Sequence, residues 1–302
     1  MAGRRGSVIE PVGDMKATLG EGPVWDHREG RLLWVDIAEG AIAVFTPSTS
    51  RTQRIEVGEN IGCLALTARP DTLVGALRSG WYWINVETGE KQLIAASPAD
   101  KTHRFNDGAV DDAGRFWTGT LEDGESNPVG ELFLLDADLT YRSIDRGFLC
   151  SNGITWSTDR AWMYLVDSGR EAIYRYRYDS DRGVIGQREL FLDTSDLPGL
   201  PDGIEMDSDD ILWCAFWDGA QIVGFAANGA IHTKIPVPAI RPTSIAFGGS
   251  DLHTMYVTSA RLGLSEAELT DWPASGSVFA MDRPVSGLPA NVFRADPWTG
   301  SR

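Results

Sequence analysis

A short apolar segment returns six times along the chain, each time after a turn containing Gly or Asp, and no other feature restricts the fold as much. The copies are RLLWVD (31–36), TLVGAL (72–77), GRFWTGT (114–120), AWMYLVD (161–167), DILWCAF (210–216) and TMYVTS (254–259). Each is followed by a second strand-like run: AIAVF from Ala41, WYWINV from Trp81, ELFLLD from Glu131, AIYRYRY from Ala172, QIVGF from Gln221 and SVFAM from Ser277. Each is preceded by a segment of polar and small residues running into apolar ones: GEGPVWD, NIGCLAL, NDGAVDD, SNGITWS, PDGIEMD and PTSIAFG. Weaker fourth runs follow, such as TQRIEV from Thr52 and the stretch around Leu190.

Trp34, Val74, Trp117, Tyr164, Trp213 and Tyr256 lie 40 to 49 residues apart, the length of a four-stranded blade. The pattern predicts an all-β, six-bladed β-propeller with four-stranded blades, forming one domain over 1–302. Residues 1–18 contain no blade of their own, and the run around Val8–Val12 is expected to close the ring by pairing with the last blade. A β-sandwich would show no sixfold recurrence.

The 27 basic and 43 acidic side chains give a formal charge of −16, which repels a nucleic-acid backbone and removes nucleic acid as a partner. No stretch approaches the roughly 18 apolar residues of a membrane span, and the N-terminal residues lack a signal-peptide apolar run, so a cytoplasmic location is expected. Cys63, Cys150 and Cys214 are odd in number, each in or beside an apolar segment, as expected of buried reduced thiols. His27, His103, His232 and His253 lack metal-ligand spacing. Gly-x-Ser-x-Gly, Gly-x₄-Gly-Lys and Gly-x-Gly-x₂-Gly motifs are absent. A propeller leaves few free strand edges, which favours a monomer.

In a propeller the innermost strand of every blade lines the channel, so its first residues share one rim with the residues that follow the second strand. The corresponding inner-strand positions read from the sequence are Glu21, Ile61, Asp107, Asn152, Asp202 and Thr243. Converging carboxylate and amide oxygens repel one another when bare, and a cation relieves that repulsion. All-oxygen ligation by Glu21, Asn152 and Asp202 suits one hard divalent ion (Ca²⁺, Mg²⁺ or Mn²⁺), with Zn²⁺ or Fe²⁺ as alternatives. The competing reading is that Asn-Gly and Asp-Gly simply form turns. Arg104 and Asn106 precede the third inner strand and Glu122 follows its partner strand; the first two offer donors for a polyol-like ligand. Taken alone, Arg104 reads as a surface ion-pair partner. Asp167, Trp217 and Asp218 are candidate further walls, and 261–275 is a candidate lid or rim segment.

The segments LGEGPVWD (19–26), RFNDGAVDDAGRFWTGT (104–120), SNGITWS (151–157) and PDGIEMDSDDILWCAFW (201–217) resemble those of the senescence-marker/gluconolactonase family, the regucalcin-like lactonases. The resemblance implies that Glu21, Asn152 and Asp202 bind a divalent metal and that Arg104, Asn106 and Glu122 contact substrate. It also implies hydrolysis of a small sugar lactone, such as a glucono-, xylono- or arabinono-lactone. Asp202 is then the candidate base, with Asp107 as a rival. Two alternatives differ in class: a calcium-dependent organophosphate or other-lactone hydrolase of the same propeller type, and a non-catalytic calcium-binding protein.

Overall fold

The computed structural model describes residues 8–295; the portions of the expected ring-closing segment and of the C-terminus at 1–7 and 296–302 lie outside the described residues. Six antiparallel sheets make up almost all of it. The first blade is Gly20–Asp26, Arg31–Asp36, Ala41–Thr46 and Arg51–Glu56, and the second is Ile61–Thr67, Thr72–Leu77, Gly80–Asn85 and Lys91–Ala96. The third is His103–Val110, Phe116–Glu122, Gly130–Leu135 and Tyr141–Phe148. Ser151–Trp156, Trp162–Asp167, Ala172–Asp179 and Glu189–Asp193 form the fourth; Leu200–Met206, Leu212–Trp217, Gln221–Phe225 and Ile231–Pro236 form the fifth. The sixth takes three strands from late in the chain, Arg241–Gly248, Thr254–Ala260 and Val278–Asp282, and its outermost strand, Glu10–Val12, from the beginning. Each inner strand packs against the next, and the sixth packs against the first, which closes a six-bladed propeller.

The alternation of apolar residues along these strands places one hydrophobic cluster in each gap between neighbouring blades. Trp34, Trp81, Trp117 and Trp213 are among the largest fully buried side chains. Two of these indoles are held by an aspartate at the far end of the adjoining inner strand: Trp117 Nε1 donates to Asp111 Oδ2 at 2.8 Å, and Trp213 Nε1 to Asp207 Oδ2 at 2.9 Å. The same two aspartates organise the turns that follow, with Gly114 N donating to Asp111 O and Ile211 N to Asp207 Oδ1. For this reason the second strands of these blades begin later than the apolar pattern alone suggests, at Phe116 and Leu212.

A segment near the C-terminal end crosses the far face like a belt. Ser208 N donates to Ser286 O, Gly287 N to Leu252 O and Arg294 N to Gly114 O. Val292 and Phe293 pair in parallel with Leu66 and Thr67. Phe293 is fully buried beside Trp83, so the belt links four blades through backbone and core contacts. The three cysteines are buried and unpaired. The one α-helix among the described residues, Glu266–Asp271, is far too short to cross a membrane, and no described helix is long and apolar enough to do so.

Candidate active site at the mouth of the channel

All six inner strands carry an irregularity near the same end, where the ladder to the second strand skips between Glu21 and Val24, Ile61 and Cys63, Phe105 and Gly108, Ser151 and Ile154, Pro201 and Ile204, and Pro242 and Ile245. A bulge adds unpaired residues on one strand and re-aims their side chains. Here it is repeated around the ring, so Asn-Gly and Asp-Gly are bulge sequences and not turns. A residue of minimal size follows the ring position because the next inner strand passes close by. A Cβ on Gly153 would collide with Ile204 N, and one on Gly62 with Phe105 O.

These registers correct one reading of the third blade. The residue after the last paired position is Asn106 there, Asn152 in the fourth blade and Asp202 in the fifth. Asn106, not Asp107, is therefore the equivalent of Asn152 and Asp202, and Asp107 occupies the place that glycine holds at 153 and 203. Asp107 sits one residue deeper, with its Oδ1 accepting from Gly108 N at 2.7 Å.

Two aspartates at the ends of second strands fix the approach to the ring. Asp36 accepts from Thr18 N at 2.9 Å and Leu19 N at 3.0 Å, ahead of Glu21. Asp167 accepts from Leu149 N at 3.2 Å and Cys150 N at 3.0 Å, ahead of Asn152. Asp167 is thus a buried anchor and not a pocket wall. Its neighbour Ser168 receives Asn152 Nδ2 at 3.1 Å, which commits the amide nitrogen and leaves Asn152 Oδ1 buried without a donor. Asp202 Oδ1 is likewise buried with no hydrogen-bond partner. Sequence reasoning missed Ser168, although a small polar residue directly after the anchoring aspartate was a visible signal.

The electrostatics of the ring follow from burial. Glu21 is pushed up to about 8, first by loss of water and then by the charge of Asp107. Burial raises Asp107 to about 6. Asp202 is raised well above the carboxylate range by burial and by the charges of Glu21 and Asp107, with the Asn152 amide offsetting part of the rise. Arg104 is the chain's own cation here, and its effect on Glu21 is the smallest of those acting. Bare, the ring is an uncompensated cluster of acids.

Arg104 is not a surface ion-pair partner. It is half-buried, with Nη1 donating to Phe105 O at 3.2 Å and to Asn106 Oδ1 at 2.6 Å, and burial lowers its own pKa. Asn106 Nδ2 donates across to Ser151 O at 3.0 Å, tying it to the fourth blade. Glu122 pairs with His103 in the ladder, one position from Arg104. Its carboxylate accepts from Ser126 N, Asn127 N and Asn127 Nδ2, so it holds its own loop. Asp218 pairs with Arg241 at 2.6 Å, and that guanidinium lies 4.7 Å above the Trp217 ring. Arg241 also donates to Leu262 O, which ties the 261–275 segment to the rim; Lys16 Nζ, 2.5 Å from Pro273 O, holds its other end.

Two orphaned, buried oxygen acceptors beside a raised carboxylate are what a hard cation's ligand set requires. Glu21, Asn152 and Asp202 fit such an ion. Among the described residues no three His, Cys, Asp or Glu side chains are grouped closely enough to hold a metal.

Residues 19–261 match the family described as "SMP-30/Gluconolactonase/LRE-like region". The chain belongs to this family. It is 38% identical to a 6-deoxy-6-sulfogluconolactonase of Pseudomonas putida, over 92% of this chain and 95% of that one. It is 34% identical to a pentonolactonase of Haloferax volcanii, over 95% and 98% of the two chains. Among solved structures, the calcium-binding protein regucalcin of Agrobacterium tumefaciens superposes with a TM-score of 0.91 at 25% identity, covering 97% of this chain and all of that one.

Proposed function

We propose that this protein opens sugar lactones to the corresponding sugar acids, using a divalent cation held by Glu21, Asn152 and Asp202. The observation that carries the reading is the pair of buried, donorless oxygens on Asn152 and Asp202, set beside the Arg104–Asn106 pair at one mouth of the channel. The lactonase names of the Pseudomonas and Haloferax relatives support the substrate class. When bound, a divalent ion supplies Lewis acidity toward a carbonyl and toward the oxyanion that grows from it.

The chain's own groups do the rest. Arg104 and Asn106, locked to each other and to Ser151, present donors that orient the hydroxyls and carbonyl of the lactone. Asp202 accepts a proton from the attacking water. That proton is returned to the ring oxygen as the ester C–O bond breaks, leaving a carboxylic acid and an alcohol on one chain. Burial excludes bulk water around these groups and strengthens each interaction.

Proton release from glucono-, xylono- and arabinono-lactones, measured with added divalent ions and with chelator, tests the reading. Hydrolysis above the buffer rate that disappears with chelator and in Asp202→Ala and Asn152→Ala supports it. A buffer-level rate across all lactones and metals overturns it, and cation binding without turnover would then assign the site to ion binding alone.

A further inference from the structure

Beneath the ring the channel widens into a cavity of about 290 Å³ to which every inner strand contributes. The ring residues themselves are above it. Its roof includes Asp107, its floor is Leu288–Asn291 of the belt, and it reaches the far face at Arg160, which is 61% exposed. Such a volume has room for several water molecules.

One wall residue is out of character. The channel-lining position three residues after the ring is Val24 in the first blade, Leu64 in the second, Ala109 in the third, Thr155 in the fourth and Ala246 in the sixth. In the fifth it is Glu205, placed opposite Trp213 as Ala109 is opposite Trp117 and Thr155 opposite Tyr164. Glu205 Oε1 accepts from Thr155 Oγ1 at 3.3 Å and from Met206 N at 2.9 Å. No cation faces it. The charged groups around the cavity are Asp107 above and the Asp112–Arg160 pair, closed at 2.8 Å, below. Packing gives no reason to place a carboxylate where five other blades use an uncharged residue.

Lactone opening needs somewhere to send a proton. Water's oxygen bonds to the carbonyl carbon and the ring C–O bond breaks. One water proton ends on the ring oxygen, and the other is released when the new carboxylic acid ionises. One proton per turnover must therefore leave a buried, acidic site.

We propose that Glu205 is a proton-relay residue that receives this proton through Asp107 and the channel cavity and passes it to solvent at the face opposite the substrate mouth. The inference rests on the lactonase reading of the ring above it. Its geometry is a roof carboxylate, a wall carboxylate and a far-face exit sharing one cavity. Burial holds Glu205 near 7, so at neutral pH it is partly ionised and can both accept and release a proton.

The test is steady-state lactone hydrolysis by the metal-loaded protein in weakly buffered solution across pH 5.5 to 8.5. Glu205→Gln is expected to lower kcat roughly tenfold with KM unchanged and to flatten the limb of the pH profile near 7, with added small buffers such as imidazole restoring much of the rate. Thr155→Val removes a donor to the carboxylate and is expected to move that limb to higher pH. It serves as the second arm should Glu205→Gln fold poorly. Active wild type with superimposable profiles for the folded variants overturns the relay and leaves the lactonase reading intact. Wild type inactive on every lactone overturns both.

Discussion

Arg104 Nη1 donates to Asn106 Oδ1 at 2.6 Å, and Asn106 in turn donates to Ser151 O, so one guanidinium is fixed across two blades without a carboxylate partner. A half-buried cation without a carboxylate partner is suited to a neutral, oxygen-rich ligand. Arg104→Ala is therefore expected to raise KM for lactones at least tenfold, while the cation-induced rise in thermal stability persists. Parallel kinetics and thermal melts check this; loss of the cation effect would place Arg104 in ion binding.

The donorless oxygens of Asn152 and Asp202 lead the proposed site to predict that a cation stabilises the ring. A divalent ion at about 100 times its Kd contributes about 2.7 kcal/mol, which for a chain of this size is a Tm rise of roughly 4 °C. Asn152→Ala and Glu21→Gln are expected to abolish that rise. A melt series with Ca²⁺, Mg²⁺, Mn²⁺ and Zn²⁺ also ranks the ions.

The metal-free protein is expected to lose stability as pH climbs from about 5 to 8. Glu21 near 8, Glu205 near 7 and Asp107 near 6 are all raised from ordinary values of 4.5, 4.5 and 3.8. Folding disfavours their charged forms, so their contribution is whole below the unfolded values and lost as pH passes through the folded ones. Carboxylates shifted the other way, such as Asp123 lowered by its hydrogen bond to Arg78, have given all their stability above about pH 5 and do not mask the decline. Saturating divalent cation should reverse the slope, because it binds the ionised ring. Urea melts at several pH values, with and without cation, check the sign.

Phe293 anchors the belt in the core shared by the second and third blades. Phe293→Ala is expected to cost about 3 to 5 kcal/mol with little change in kcat at low temperature, since no ring residue touches it. Asp111→Ala should be comparably costly, because it strands Arg115, whose Nε lies 2.7 Å from Asp111 in a buried pair, and the indole of Trp117. Chemical denaturation of both variants measures these losses.

The blades were legible because a two-residue alternation with aromatics at fixed distances has few other solutions; Trp34, Trp117 and Trp213 marked second strands directly. The rim positions of Asn152 and Asp202 were legible because Asn-Gly and Asp-Gly stand in register ahead of the apolar runs. The offset in the third blade was not, since Asn106 and Asp107 are both polar and only strand pairing shows which one takes the ring position. The bond of Glu122 to Asn127 was not legible, because no repeat encodes that local loop. Glu205 was hidden inside an apolar strand, where one charged residue carries no periodic signal.

The sixth blade joins Glu10–Val12 to Val278–Asp282, strands far apart in the sequence. An emerging polypeptide can assemble its earlier blades on the ribosome, yet Glu10–Val12 has no place to dock until Val278–Asp282 has been made. Closure of the circle thus waits for that strand, and a chain that stops before 278 leaves an open arc with two unprotected edges for quality control to recognise.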